Sequence, residues 1–556
     1  MPKLSNIAAA LLVVSQGAMA QQPPTAGQQI QQIPPAPVPD RAAPDIRIER
    51  GAAPLAGVAA GAKARIATLH VTGQTLFSEA TLIAASGFAP GDLDLAGMRQ
   101  LAARIAAFYN IRGYILAQAY VPAQDVANAT LTIAIAIVEG RYGAVKLNNH
   151  SRLHDKVATN LLGGIEPGDP VAIAPLERRL LLLSDIPGTR VRSTLSPGGS
   201  VGTSDLIVDV TPGRSISGDV EGDNSGNRYT GSWRLGGTIN LNNPTGHGDV
   251  ASLRLLTSFS GLFYGRASYQ TLFGATTVGV AYAHINYSLG KEFKSLDGKG
   301  SADIASIYAS HPLIRSRNAN LYLVGDVDLK RFHDRIGSID TNSRKHAAVL
   351  ALGLNGDERD SIGGGGWSSY SIGGSVGQLD IRSPIERDLD ALTAHSNGTY
   401  GKLQGSAARL QRIAGPLSLY AAVRGQFAFD NLDTSEKMEL GGAYGVRAYP
   451  EGEAYGDEGY IATIEARLAV SQLTPRLPGQ LQLIGFVDVG AVTLAKDPWY
   501  TGTNHAHRSG YGVGLDWSGG DGWAVKASYA RKLGSQGATS APDRSGRFWF
   551  QIAKFF

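Results

Sequence analysis

NLYLVGDVDLK, residues 320–330, puts Leu321, Leu323, Val327 and Leu329 on one face of an extended chain and Asp326, Asp328 and Lys330 on the other. One such strand suits a soluble sandwich as well as a membrane, so repetition has to decide. YIATIEARLAV (460–470) sets Ala462, Ile464, Ala466, Leu468 and Val470 against Thr463, Glu465 and Arg467. WAVKASYARK (523–532) sets Trp523, Val525, Ala527 and Tyr529 against Lys526 and Ser528. Working outward, sixteen candidate strands follow residue 214, near 214–222, 229–241, 248–259, 262–272, 274–287, 300–311, 319–332, 344–355, 366–377, 398–410, 417–429, 460–471, 480–492, 508–517, 522–531 and 546–556. An even number of strands of about ten residues, joined by alternating short and long connections, is the pattern of a bacterial outer-membrane β-barrel. Closing the sheet leaves no strand edge unpaired in hydrocarbon. The last segment, RFWFQIAKFF (547–556), ends in Phe556 with Phe548, Phe550 and Ile552 on the same face. Such a terminal aromatic is the expected signal for barrel-assembly machinery. Lys554 interrupts that face at a depth where its amine can snorkel.

The rest of the chain agrees with export. Lys3, the apolar stretch from Ile7 to Val14 and Ala18-Met19-Ala20 form a signal-peptide pattern over 1–20, too short to span a bilayer. No later stretch reaches about 18 uninterrupted apolar residues. There are no cysteines, hence no disulfide, thiolate metal site or cysteine nucleophile. The formal charge of +4 is small for 556 residues and does not point to nucleic acid. Glycine is abundant, 70 residues, spread through the alternating segments as suits bends and close contacts in a large sheet. Residues 21–62, beginning QQPPTAGQQIQQIPPAPVPD, are expected to form an unfolded lead and linker, since they hold too little apolar surface to fold alone.

Two tandem α+β modules are predicted at 64–140 and 141–213, each in the order β-α-α-β-β. In the first, ARIATLHVTG is a strand, Ser78 caps a helix running to Ser86, and Leu95, Met98, Leu101, Ile105 and Phe108 line a second helix. ILAQAYVP and ATLTIAIAIVEG follow as strands, separated by a turn around Asp125. In the second, YGAVKLNNH, DKVATNLLGG, IAPLERRLLLLSDIPG, RVRSTLSPG and SDLIVDVTPG repeat the order.

With the membrane β-barrel at 214–556 and the modules in place, the chain resembles the outer-membrane transporters of two-partner secretion, the haemolysin-activation and adhesin-secretion family. The modules resemble its two POTRA domains, through YNIRGY, AQAYVPAQ, LTIAIAIVEG and SDIPG. DNSGNRYTGSWR (223–234) and NPTGHGD (243–249) resemble the family's passage into the barrel. The most specific stretch, GVRAYPEGEAYGDEGY (445–460), resembles the long inward-folded loop before strand twelve, with GFVDVG (485–490) as its partner on strand thirteen. The resemblance implies a pore-loop lock of Arg447, Tyr449 and Asp488, with Val446, Gly452, Glu453, Gly456 and Asp457 shaping the loop. It also implies a plug segment in 21–45, although the prolines there argue against a long helix. Ala448 stands where the family carries glycine, which excludes a glycine-only backbone angle and predicts a somewhat different loop tip.

The lock also follows from alternation. Along LQLIGFVDVGAV (481–492), Leu481, Leu483, Val487 and Val489 share one face, so Asp488 points into the lumen. A carboxylate on the wall can hold a guanidinium from the loop bidentately. Breaking that pair costs about 3–5 kcal/mol if it is buried, and about 0–1 kcal/mol if the lumen wets it.

No catalytic, cofactor or metal site is expected. Gly373–Gly377 matches a serine-hydrolase elbow as a string but lies in an alternating strand. His505 and His507 fall in a polar stretch predicted to be loop, without a third ligand, and Asp357–Asp360 reads as solvated loop charge. Nothing resembles a nucleotide phosphate loop. The expected partners are a large secreted exoprotein of adhesin, cytolysin or contact-dependent toxin type, outer-membrane lipid and the barrel-assembly machinery. The rival functions are a barrel insertase and a solute porin.

Overall fold

Proline shapes the start of the chain. The computed structural model describes residues 23–37, 45–48, 63–124, 131–474 and 478–556; the signal peptide expected at 1–20, the remainder of the 21–62 lead and the turn around Asp125 lie outside the described residues. Helix α1 (Ala26–Gln31) opens on a capping box, in which the Thr25 hydroxyl accepts the Gln28 N–H and the Gln28 side chain accepts the Thr25 N–H. Pro34 and Pro35 prevent its extension. The composition predicts an unfolded lead, yet this part is helical and buried within the barrel. The apolar surface it lacks is supplied by the walls around it. Strand β1 (Asp45–Ile48) follows.

The first module runs β2 (Ala64–Thr72), α2 (Glu79–Ser86), β3 (Gly91–Leu93), α3 (Leu95–Ile111), β4 (Gln118–Tyr120) and β5 (Leu131–Val138), with sheet order β3-β2-β5-β4. Ser78 caps α2, and Asp94 caps α3 through the Gly97 N–H. Met98, Leu101 and Ile105 bury against Ile66, Ile133 and Ile135 as their spacing predicts. Tyr109, rather than Phe108, completes the stripe, because 3.6 residues per turn carries the buried face one position onward. Its hydroxyl donates to the Glu139 carboxylate (2.9 Å). That carboxylate also accepts the Thr75 and Leu76 N–H groups (2.7 and 2.8 Å) and pairs with Arg141 (3.1 Å).

The second module comprises β6 (Arg141–Asn149), α4 (Asp155–Leu162), α5 (Ile173–Ser184), β7 (Thr189–Pro197) and β8 (Thr203–Pro212). Its sheet has the order β1-β7-β8-β6. The edge strand β1 comes from the lead and lies parallel to β7, with Asp45 opposite Arg192 and Ile48 opposite Leu195.

The barrel rises and falls through β9 (Ile216–Asp223), β10 (Arg234–Asn242), β11 (Val250–Thr257), β12 (Leu262–Phe273), β13 (Thr276–Ser288), β14 (Gly298–Arg315), β15 (Ala319–Ile336), β16 (Thr341–Asp360), β17 (Gly366–Ile381), β18 (Gly398–Ala414) and β19 (Leu417–Ala428). A long loop containing the small ribbon β20 (Met438–Glu439) and β21 (Tyr455–Gly456) interrupts the meander. The wall resumes with β22 (Glu458–Ala469), β23 (Gln480–Thr493), β24 (His505–Ser518), β25 (Trp523–Lys532) and β26 (Gly546–Phe555). β26 pairs with β9, Gln551 opposite Asp223 and Phe555 opposite Asp219, and closes a sixteen-stranded barrel. Phe556 and Gly218 exchange backbone hydrogen bonds at the seam.

Strands β14 to β17 hold 16 to 20 residues, well beyond the expected ten or so. Apolar alternation ends where the outer face leaves hydrocarbon, whereas backbone pairing continues into polar surroundings. The Asp357–Asp360 run, expected in a loop, is the last part of β16, where Asp360 pairs with Arg409 (2.7 Å). His505 and His507, expected in a loop, begin β24.

Module two sits against the rim from which β9 starts. Arg178 donates to the Pro312 and Leu313 carbonyls (2.8 and 3.0 Å), Arg315 pairs with Asp185 (2.8 Å), and Arg317 pairs with Glu177 (2.8 Å). The NPTGHGD turn joins this contact, its Gly246 carbonyl accepting the His154 N–H (2.8 Å).

Desolvation alone would raise the pKa of Glu139, but the hydrogen bonds from Thr75, Leu76 and Tyr109 hold it below the ordinary carboxylate range. Its contribution to stability is therefore complete above the unfolded value near ~4.3 and fades as pH falls through the lower folded value. Glu139→Ala should destabilise the first module by about 3 kcal/mol at neutral pH, with the difference from wild type shrinking under acid. Hydrogen-exchange protection of β2 and β5 in the intact protein measures both effects.

Candidate functional site

The lumen is filled by the chain itself. Alternation along β23 turns Ile484, Phe486 and Asp488 inward, and the loop between β19 and β22 folds down to meet them. Arg447 Nε donates to Asp488 Oδ2 (2.8 Å) and Nη2 to Oδ1 (2.7 Å), the bidentate arrangement expected from sequence. The Arg447 backbone N–H adds a third bond to Oδ2 (3.1 Å). Its remaining nitrogen, Nη1, reaches Glu465 of β22 (2.9 Å), and the guanidinium lies 3.4 Å from the centre of the Phe486 ring. The Asp488 side chain is 0% exposed and that of Arg447 15%. The pair therefore belongs to the buried regime, where breaking it costs about 3–5 kcal/mol.

The other loop residues hold different parts of the fold. The Tyr449 hydroxyl donates to the Gln536 carbonyl (3.0 Å), tying the loop to the segment between β25 and β26. Glu453 accepts from Arg508 of β24 (2.6 and 2.9 Å) and from the Thr539 and Ser540 N–H groups (2.8 and 2.9 Å). Asp457 binds Lys437 (2.7 Å) and the Lys496 N–H (2.8 Å). Val446 is buried and donates its N–H to Leu440, while Gly452 adopts φ +83°, a left-handed angle that favours glycine. A Cβ at Gly456 would lie 2.5 Å from Val492. Phe556 belongs to the seam and is remote in function from this cluster.

Ala448 is accommodated without strain, and its φ is negative like that of most residues. Space comes from the facing strand, because a Cβ built on Gly510 would lie 2.5 Å from the Ala448 methyl.

Sequence reasoning missed several lumen residues. Lysines from three strands pin the upper loop: Lys330 and Lys402 to Glu436 (2.8 and 2.9 Å), and Lys345 to Asp433 (2.8 Å). Around α1, Arg234 is nearly fully buried with Asp223 (2.8 Å) and donates to the Gln32 carbonyl (2.9 Å). Arg254 holds the Pro34 carbonyl (2.7 Å) and Glu221 (2.7 Å), and Asp334 accepts the Ala26 N–H (2.8 Å). Gln32 donates to the Tyr455 hydroxyl (2.7 Å), which donates in turn to Glu439 (3.0 Å), so helix and loop are joined. Inward-facing charges on alternating strands were the available signal, but their partners lie up to several hundred residues away. The Gly373–Gly377 string lies within β17, paired on both sides in the barrel wall. The His505 ring meets the Thr493 hydroxyl (3.2 Å).

A closed sixteen-stranded barrel behind α+β modules, with a loop locked in its lumen, defines an outer-membrane transporter of the POTRA-bearing class. The family description "Haemolysin secretion/activation protein ShlB/FhaC/HecB" matches residues 202–517, and "POTRA domain, ShlB-type" matches residues 65–140. The chain belongs to the haemolysin secretion/activation family. It is 27% identical over 474 residues to the Heme/hemopexin transporter protein HuxB of Haemophilus influenzae, covering 84% of this chain and 82% of that protein. It is 23% identical over 436 residues to the outer membrane transporter CdiB of Escherichia coli, covering 74% and 70%. The solved structure of CdiB from Escherichia coli shares the fold, with TM-score 0.70 at 20% identity over 91% of this chain and 93% of that one. The protein is thus an outer-membrane translocation pore of two-partner secretion, with its POTRA region in the periplasm.

Gly510→Ala should weaken loop docking by about 1–3 kcal/mol through overpacking, and adding Ala448→Gly should recover most of the loss. The temperature at which the folded, heat-modifiable band disappears reports both variants.

Proposed function

We propose that the pore rests closed and opens when a large exoprotein, presented unfolded, engages the periplasmic modules. The observation that carries this reading is that two segments of the chain, α1 and the 429–457 loop, occupy the lumen through charged and polar contacts. Such contacts can be exchanged for others as an extended polypeptide passes. An arriving partner shifts the equilibrium only by binding the open arrangement more tightly than the closed one.

Capture by strand addition suits the modules at 64–140 and 141–213. The edge of β7 already carries β1 from outside its module, an internal example of that mode. Relatives named as heme/hemopexin and hemolysin transporters differ in cargo, so the exported protein is defined here by class: large, elongated, and of adhesin, cytolysin or toxin type. No step requires catalysis by this chain. Folding of the exported protein outside the cell supplies direction. The exposed apolar outer face meets outer-membrane lipid, and Phe556 presents the terminal strand to the barrel-assembly machinery.

Comparing surface, culture-fluid and outer-membrane proteomes with and without this protein tests the reading. Loss of one large exported protein with other barrels unchanged is expected. A broad fall in barrel proteins would identify an insertase instead, and no change in either would favour a solute porin. Arg447→Ala should cut export by about tenfold or more, given the cost of breaking a buried pair, while barrel insertion measured by heat-modifiable mobility stays normal. Deleting 23–37 should raise single-channel conductance severalfold in planar bilayers; unchanged conductance would show that α1 does not limit the pore.

A further inference from the structure

The outer wall of the barrel carries a charged feature that lies outside the lumen. On its outward face β15 exposes Leu323, Val327 and Leu329, and then Arg331, His333 and Arg335. On β16 the outward positions Leu352, Leu350 and Ala348 lead to His346 and Arg344. Pairing places Arg331 opposite His346 and His333 opposite Arg344. Lys299 of β14 lies opposite Arg335. All stand at the end of the barrel remote from module two, which grips Arg315 at the other end of β14.

Depth and charge both point to a ligand. On β15 the first cation, Arg331, lies one outward position beyond the last exposed leucine, about 7 Å along the strand, where hydrocarbon gives way to headgroups. Basic residues directly opposite one another destabilise a sheet unless an anion answers them. Arg335 has Asp340 (3.8 Å) and Lys299 has Asp297 (3.7 Å). Asp303 lies opposite Arg331, but its Oδ1 already accepts from the Tyr282 hydroxyl (2.5 Å) and pairs with His284 (2.8 Å). Asp380 lies opposite His346 and pairs with Arg382 (2.9 Å). Among the described residues, the side chains of Arg331, His333, Arg344 and His346 form no salt bridge and donate no hydrogen bond, although Arg331 feels the charge of Asp303 across the ladder and the Arg344 backbone N–H donates to the Ser383 hydroxyl (2.9 Å).

We propose that this cluster binds the phosphate of a phosphorylated glycolipid in the outer leaflet, its acyl chains lying along Leu329, Leu350 and Ile307. Arg331 and Arg344 are diagonal neighbours across the β15–β16 ladder, so two planar forks can converge on one phosphate. The two histidines donate from either side. The site anchors one stave of the barrel at the outer headgroup layer and does not depend on how the pore opens.

The full-length protein in detergent, analysed by native mass spectrometry, tests the assignment with bisphosphorylated lipid A, the same lipid dephosphorylated, and inorganic phosphate as probes. The wild type should retain the phosphorylated lipid, reject the dephosphorylated one, and hold its lipid against millimolar inorganic phosphate. R331Q/R344Q should lose retention by about tenfold or more, the expected effect of removing two charge-assisted contacts. R359Q, at the periplasmic end of β16, should retain the lipid normally. Equal retention of both lipids by the wild type would overturn the proposal even if the double variant failed to fold. Displacement by inorganic phosphate would assign the site to a free anion. Lost export with intact lipid retention in R331Q/R344Q would assign it to an acidic stretch of the exported chain.

Discussion

Backbone pairing in hydrocarbon is the constraint on which everything else rests. Lipid offers no partner to a peptide N–H or carbonyl, so a strand assembly must leave no edge. The chain meets this by pairing β26 with β9 across more than 300 residues of sequence. Once the sheet is closed, alternation gives the wall two chemistries: apolar outside, charged and polar inside. The lumen residues thus exist because the outside must be apolar, and they become available for function.

Inside, the chain uses charge where a soluble core would use packing. Arg447 with Asp488 and Glu465, Arg508 with Glu453, and the lysines on Asp433 and Glu436 form a chain of pins along the inserted loop. Ion pairs of this kind are no better than apolar packing as stabilisers, but removing one partner is costly. That asymmetry suits a loop required to have one seated position and to leave it only when something compensates the stranded charge. Helix α1 follows the same logic with backbone carbonyls, offering Gln32 and Pro34 to two buried arginines.

The periplasmic side connects to the pore through short polar contacts. Glu139 and Arg141 stand at the junction between modules, and Arg178, Arg315 and Arg317 tie the second module to the rim. The lead enters this arrangement twice, as α1 in the lumen and as β1 on the edge of β7. A change at that edge is therefore linked by a short stretch of chain to the segment occupying the pore.

The number of barrel strands, their inward and outward faces, the two α+β modules and the Arg447–Asp488 pair were all legible in the sequence. Each depends on period-two or period-3.6 alternation, or on a local motif, and such patterns are written in consecutive residues. Strand ends in β14 to β17 were not legible, since backbone pairing persists after apolar alternation stops. Composition did not reveal the fold of the lead, whose plug position only the resemblance implied: a segment rich in proline and glutamine becomes helical because distant Arg234, Arg254 and Asp334 surround it. Ala448 shows the division most clearly. Its sequence neighbours predict an altered loop tip, whereas the missing side chain of Gly510 makes room for it. The sequence by itself determined which face of each strand meets lipid; only the tertiary structure decided which lumen charges meet, because those partners are chosen by closure of the barrel and not by proximity along the chain.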